Sequence, residues 1–519
     1  MRFSIPFAVA LSAIAVPLLA QDYLDNVAER ARKEFNVPGI AVAIVKDGQV
    51  VVSKGYGVRK LGDPAPVTPH TIFGIASNSK LFTSAALGML VDEGKLDWDD
   101  RVVDRFPGFQ MSDAYVTREM RIRDLLCHRS GLTLGAGDLL FWPGSDLTAS
   151  QINFRLRFVP LGTSFRSAYA YDNVLYNVAG AVIQQVSGKP WAEFIRERFF
   201  APLNMRDSKT SIRDIDASTD VVAPHALEDG KLRALEHSPL DNNAPAGAIV
   251  SSVDDISRWV IALLNKGAIG NGKRLFSEQQ ARTLWTPLTI LPIGDASPEL
   301  ADVRPHFADY AMGEVLQDYR GHLIAWHTGG LHGMVSIVAM LPESNVGVVV
   351  LTNQEEEGAF QSIAYTVLDH YLGAQPRDWV GAFAAIGRRQ KEEGEKAVRD
   401  AAGKRDLHSK PSLSLDSYSG RYRDPWYGDV VVETKGDGLA IRFTHTPALT
   451  GKLEHWQQDT FVARWGDRSL LADAYVTFSL NPDGTIERAR MKPVSPLTDF
   501  SFDFQDLVLK PVAKTATPY

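Results

Sequence analysis

The stretch GIAVAIVKDGQVVVSKGYGV, residues 39–58, does most to constrain the fold. Apolar and polar residues alternate around Asp47-Gly48, the pattern of a tight β-hairpin. A second strand pair, joined by a polar turn, is read in VSIVAMLPESNVGVVVLTN, residues 335–353. Between the two lie segments 80–94, 173–188 and 252–267, which have helical periodicity and end in glycine. Strands at both ends with helices between imply an α+β domain. Its antiparallel sheet would be assembled from the two ends of the region and flanked by helices, with a helical lobe inserted.

At 519 residues the chain is too long for one compact core, so a second unit is expected. Residues 377–406 read as a charged connecting helix and 408–415 as a polar linker. From Tyr418 onward short alternating strands are separated by turns such as Gly436-Asp437-Gly438 and Asn481–Gly484, which predicts a small β-barrel or sandwich. Arg2, the apolar run Ile5–Leu19 and candidate cleavage points at Ala13-Ile14-Ala15 and Ala20–Gln21 read as a secretory signal peptide, with an uncleaved anchor as the alternative. The expected layout is a signal peptide at 1–20, a main domain at 21–372, a helical linker at 373–415 and a barrel at 416–515. A periplasmic or secreted location without stable membrane insertion follows from the leader.

A net charge of −7 and the lack of a basic run argue against a nucleic-acid partner. The single cysteine, Cys127, excludes an internal disulfide and a cysteine-based metal site; it reads as a buried packing residue. No HExxH motif is present and the histidines are scattered. No phosphate-cradling glycine loop precedes a helix, so neither a metal nor a cofactor is expected.

FGIASNSKLFTSAALGML, residues 73–90, begins with Ser77 and Lys80 three positions apart. On a helix they share a face, where the ammonium eases deprotonation of the hydroxyl. The alternative is that Ser77 caps the helix and Lys80 is solvated. Two further segments bear on the choice. Tyr171-Asp172-Asn173 precedes a helix, and His327-Thr328-Gly329-Gly330 interrupts a strand pattern. In order, the three read SxxK, YxN and HTG.

With these motifs, residues 22–370 resemble the serine β-lactamase and penicillin-binding-protein superfamily. The likeness is to its class C-like branch of esterases, D-aminopeptidases and DD-peptidases. Segments 73–102, 122–132, 243–259 and 348–353 carry it too, and the tail from Tyr418 resembles the lipocalin-like barrel appended to some members. The resemblance implies a β-lactamase/transpeptidase-like fold with Ser77 as the acylated nucleophile. Lys80 and Tyr171 would share the general-base task, and Tyr171 would then protonate the leaving group. A phenol with pKa near 10 needs a nearby cation for that task, and Lys80 would be that cation. Asn173 would orient the lysine or the substrate amide, and the backbone amides of Ser77 and Gly330 would form the oxyanion hole.

His327 stands where many relatives carry lysine. A neutral histidine weakens the case for a substrate carboxylate there; the alternative is a histidine that fills the strand. Thr328, Gly329 and Gly330 are read beside the substrate, the glycines for close backbone approach. His128 falls in a segment read as structural, and His332 is a further candidate for the cleft. His445 lies in the 443–450 loop, which is expected either to enter the cleft and bind substrate or to be a plain surface loop. Phe141–Gly144, Tyr169 and Trp326 are either core residues or an apolar cleft wall.

The expected function is that of a secreted serine hydrolase working through an acyl-enzyme. Short or unusual peptides lead as substrates, including D-residue-containing or linearised cyclic ones; the layout resembles that of a peptidase of linearised microcystin. A carboxylesterase or β-lactamase is the alternative, and a penicillin-binding sensor without turnover a second. A small peptide or ester is the expected partner, and a homo-oligomer is left open.

Overall fold

The computed structural model describes residues 15–216 and 219–513, with side chains from Tyr23 onward. Residues 1–14 of the segment read as a signal peptide lie outside them. The main sheet has eight strands: β1 (Gly39–Lys46), β2 (Gln49–Gly57), β3 (Thr289–Ile290), β4 (Ala308–Tyr310), β5 (Val315–Tyr319), β6 (His322–Leu331), β7 (Met334–Leu341) and β8 (Val346–Thr352). Their order is β2-β1-β8-β7-β6-β5-β4-β3. All neighbours are antiparallel. The hairpin turns at Asp47 and Gly48, whose φ angles of 51° and 74° are the paired positive values a two-residue turn of this hand needs. Val42 lies opposite Val350, so the two ends of the domain meet side by side, as the sequence predicts.

β1 differs from the alternation read in the sequence, because it is buried along nearly its whole length. Successive residues face opposite sides of the sheet. Ile40, Val42 and Ile44 join a core with α1 (Ala15–Glu34) and α5 (Glu357–Tyr371). Ala41, Ala43 and Val45 join the core that contains α2 (Lys80–Asp92), α3 (Val174–Ser187) and α4 (Val253–Leu264). A strand covered on both faces has no position for a polar side chain until its end at Lys46.

The expected linker is partly core. α6 (Trp379–Gly403) buries Trp379, Val380, Phe383 and Ala384 with α1 and α5, and Trp379 Nε1 donates to Asp369 Oδ2 at 2.9 Å. Its first turns therefore belong to the main domain. The C-terminal unit is a nearly closed eight-stranded barrel: β9 (Gly420–Asp424), β10 (Gly428–Lys435), β11 (Gly438–Phe443), β12 (Thr450–Gln457), β13 (Thr460–Trp465), β14 (Ala474–Leu480), β15 (Ile486–Pro493) and β16 (Lys510–Pro511). The order is β15-β14-β13-β12-β11-β10-β9-β16, and a bridge between Ala489 and Leu509 brings the last segment back to β15.

The barrel packs on the helical lobe. Arg155 donates to the carbonyls of Trp426 and Tyr427, both at 2.8 Å, and the buried residues of lobe and barrel form one continuous core.

Candidate active site

Ser77 lies in a 3-10 turn, Ala76–Ser79, immediately before α2. Ser79 occupies the cap position of the helix, so the capping reading of Ser77 falls. Ala76 has φ 49°, a strained value for a residue with a Cβ. The turn is pinned from the sheet: Asn78 Nδ2 donates to Ser336 Oγ on β7, and that hydroxyl donates to Ile75 O, both at 2.9 Å. Gly329 on β6 lets the turn approach, since a Cβ there would lie 2.2 Å from Ile75 O and 2.6 Å from Ser336 Oγ. Its need for glycine thus comes from the nucleophile turn and not from a substrate. A Cβ at Gly330 would meet nothing within 4 Å. The HTG residues do not interrupt the strand; they sit within β6, paired to β7 as far as Leu331.

Lys80 is fully buried, which removes the solvated alternative. Its Nζ donates to Ser77 Oγ at 2.9 Å, Asn173 Oδ1 at 2.7 Å and Ala246 O at 3.1 Å, so all three protons of the ammonium have acceptors. It also lies 4.8 Å from the centre of the Tyr171 ring and 5.2 Å from that of Tyr176. Burial pulls its pKa down to about 7, against the pull of Asp138 and Asp172. Tyr171 moves the other way: burial raises the phenol well above 10 although its hydroxyl bonds to Ser77. The lysine is thus the group that can shed its proton near neutrality, and the tyrosine stays a phenol. Both shifts have one cause, since desolvation penalises the charged form of each group.

His327 is buried and neutral, with a pKa lowered to about 3 by burial first and by Lys80 next. Its Nδ1 faces Thr328 O, which assigns the proton to Nδ1; Nε2 then accepts from the Tyr310 hydroxyl at 2.8 Å. No cation is supplied from this position.

The site opens into a cavity of about 400 Å³ lined by Ser77, Tyr171, Asn173, His327, Thr328 and Gly330. Phe141, Trp142, Tyr169 and Trp326 form its apolar wall, so the open choice for these aromatics resolves toward the cleft. Glu357, Asp499, Phe500 and Ser501 complete it. The last three come from the segment between β15 and β16, so the barrel does reach the cleft, through a different loop from the one expected.

His445 is not in the cavity lining. Its Nδ1 pairs with Asp146 Oδ1 at 2.7 Å and its Nε2 faces Arg155 at 3.4 Å, so the 443–450 loop is a docking contact of the barrel on the lobe. His332 likewise faces Ser469 O at 3.3 Å instead of the cleft. His128 packs against Tyr171 with ring centres 4.2 Å apart and planes tilted by 38°, and accepts from the Asp172 amide at 3.1 Å, a structural placement. Cys127 is buried, and burial raises its thiol to about 12. Among the described residues no group of His, Cys, Asp or Glu is arranged to hold a metal, and no helix is long and apolar enough to cross a membrane.

Asp138, Tyr310 and Ser336 escaped the sequence reading because they belong to no motif. The only sequence hint of the barrel's contribution is the alternation of aromatic and acidic residues in DFSFDF, residues 499–504, within a coil.

An antiparallel sheet with an inserted helical lobe, and a serine on the 3-10 turn that leads into a helix beside a buried lysine, define a serine hydrolase of the β-lactamase/transpeptidase class. The Beta-lactamase family model matches residues 24–372, and the chain belongs to that family. A second model, described as a domain of unknown function (DUF3471), matches residues 404–511. The chain is 28% identical over 494 residues to an unguisins hydrolase of Aspergillus campestris, covering 90% of this chain and 88% of that protein. It is 26% identical over 344 residues to protein flp of Staphylococcus aureus, covering 65% and 64%. Among solved structures, the octameric penicillin-binding protein homologue from Pyrococcus abyssi superposes with a TM-score of 0.60 at 22% identity, covering 91% of this chain and 98% of that one.

Proposed function

We propose that the protein is an exported peptidase that cleaves short or unusual peptides through an acyl-enzyme on Ser77. D-residue-containing and linearised cyclic peptides are the leading substrates. The observation that carries the reading is the 2.9 Å bond from Lys80 Nζ to Ser77 Oγ on a lysine whose pKa has fallen to about 7. Neutral Lys80 takes the Ser77 proton as Oγ attacks the carbonyl carbon. The backbone amides of Ser77 and Gly330 receive the oxyanion. The proton passes through the Tyr171 hydroxyl to the departing amine, which leaves the acyl-enzyme. Water then attacks the ester and gives its proton to the same pair, which returns it to Ser77 Oγ as the C–Oγ bond breaks and the acid is released.

Neutral His327 supplies no cation for a substrate carboxylate, which favours internal or amine-bearing peptides over carboxylate-directed β-lactams. The relatives named as unguisins hydrolases, matched over most of the chain, support a hydrolase. Export rests on residues 1–20, and N-terminal sequencing of the protein recovered from the native host tests it. Self-association, suggested by the octameric homologue, is read by light scattering.

Incubating a pool of L-, D- and linearised cyclic peptides with wild type and Ser77→Ala, followed by mass spectrometry, tests the substrate. Cleavage by wild type alone supports the peptidase. Intact peptides with turnover of an aryl ester move the reading to an esterase, and an acyl-enzyme that never turns over moves it to a sensor.

A further inference from the structure

The reaction scheme leaves one buried carboxylate of the site unused. Asp138 is fully buried on the helical lobe, in a 3-10 turn that follows Gly137. Its Oδ2 accepts from Asn173 Nδ2 at 2.8 Å and from Ser501 Oγ at 2.9 Å, while Oδ1 has no hydrogen-bond partner. Asn173 passes the contact on, since its Oδ1 accepts from Lys80 Nζ at 2.7 Å. A carboxamide has one accepting end and one donating end. An accepting oxygen at Asp138 therefore turns the Asn173 amide so that its oxygen faces the lysine. Reversed, the amide would point two N–H bonds at Lys80 and push Nζ away from Ser77.

The barrel holds this carboxylate from the far side. Ser501 bonds it directly. Asp503, also fully buried, accepts from the amides on either side of it: Gly137 N to Oδ2 at 2.7 Å and Leu139 N to Oδ1 at 3.1 Å. Thr133 on the same lobe segment donates to Asp506 at 2.8 Å. Gly137, Asp138 and Leu139 are thus each gripped by one short piece of the barrel domain.

We infer that Asp138 is a positioning residue, set in place by Ser501 and Asp503 of the barrel, that orients Asn173 and through it Lys80, so that barrel docking is built into the competence of the catalytic lysine. The inference rests on Ser77 and Lys80 acting as proposed above. It makes the C-terminal domain part of the reaction's scaffold as well as of the substrate wall.

The test uses the full-length chain, p-nitrophenyl acetate as the probe, intact-protein mass spectrometry for the acetyl adduct, and thermal unfolding as the control for folding. Asp138→Ala, which removes the accepting oxygen, is expected to lower kcat about 10- to 100-fold with KM within about twofold, because misplacement and not binding is lost. Ser501→Ala is expected to lower kcat about fivefold, the scale of one hydrogen bond, and Ser501→Thr to restore it. The double variant Asp138→Ala/Ser501→Ala is expected to match Asp138→Ala alone, since Ser501 acts through Asp138. Folded Asp138→Ala with wild-type kcat overturns the inference, as do single losses that multiply in the double variant. Should Asp138→Ala not fold, Ser501→Ala with wild-type kcat overturns the barrel's role. Wild type that forms no adduct on Ser77 overturns the underlying reading and the inference with it, an outcome distinct from the others.

Discussion

The cavity wall that carries Ser77, Lys80 and Asn173 and the wall that carries Phe500 are held by different means. The first is built on α2, the start of α3 and β6, and Lys80 spends each of its donors on a fixed acceptor. The second is a coil from another domain. Its tip, Phe500, is 41% exposed and touches Tyr171 edge-on at 5.9 Å, whereas three residues on Asp503 is 0% exposed. The contrast separates two tasks. Groups that move protons need positions fixed to fractions of an ångström, and here they sit on regular elements or in the few residues just before one. A surface that selects substrates tolerates a loop, provided the loop is anchored, and here the anchor lies beyond the tip.

Removing the chemistry from the first wall is the largest available effect. Ser77→Ala is expected to lower turnover by about 10⁴-fold or more and Lys80→Ala by about 10³-fold, measured with an ester and with any peptide cleaved. Because Lys80 has to be neutral to accept a proton and its pKa is about 7, kcat/KM is expected to fall about tenfold per pH unit below that value. A flat profile down to pH 5 would show that the lysine works as a cation instead.

The anchor of the second wall comes next. Asp503→Ala leaves the Gly137 and Leu139 amides without their acceptor in a buried interface, at a cost of about 2–4 kcal/mol, visible as a lower unfolding temperature. A change of only a few tenths would mean that the barrel segment rests on the lobe without holding it. Phe500→Ala is expected to raise KM about fivefold for substrates with a bulky apolar side chain and to leave kcat in place. A loss in kcat would erase the division of labour between the walls. The smallest effect is expected at His445→Ala: its partner Asp146 is 64% exposed, so stability should change by no more than about 1 kcal/mol and activity by less than about twofold.

Much of the first wall was legible in the chain. SxxK, YxN and HTG name side chains that meet because each lies at the end or edge of a regular element, and the hairpin and helix boundaries fell within a few residues of their predicted positions. The second wall was not. The loop that enters the cleft lies between β15 and β16, more than 300 residues from Tyr171 in sequence, and nothing in local periodicity says which end of a barrel faces its neighbour. The sequence leaves the 443–450 loop with His445 open between the cleft and a plain surface loop; the structure uses His445 to dock. Gly329 shows the same limit, since a glycine needed by a neighbouring backbone and one needed by a substrate look alike in sequence.

The sequence by itself determined the class of chemistry, through the types and spacing of Ser77, Lys80, Tyr171 and Asn173, and the two-part architecture, through its change of periodicity after Tyr371. Tertiary structure alone decided the protonation order and the shape of the cavity. Burial pulls Lys80 toward the neutral amine and holds Tyr171 as the phenol because both are removed from water, and desolvation depends on every atom packed around them. Asp138 meets Asn173 within the main domain and Ser501 of a barrel encoded hundreds of residues later, the second a contact set by the packing of two domains and by no local pattern in either.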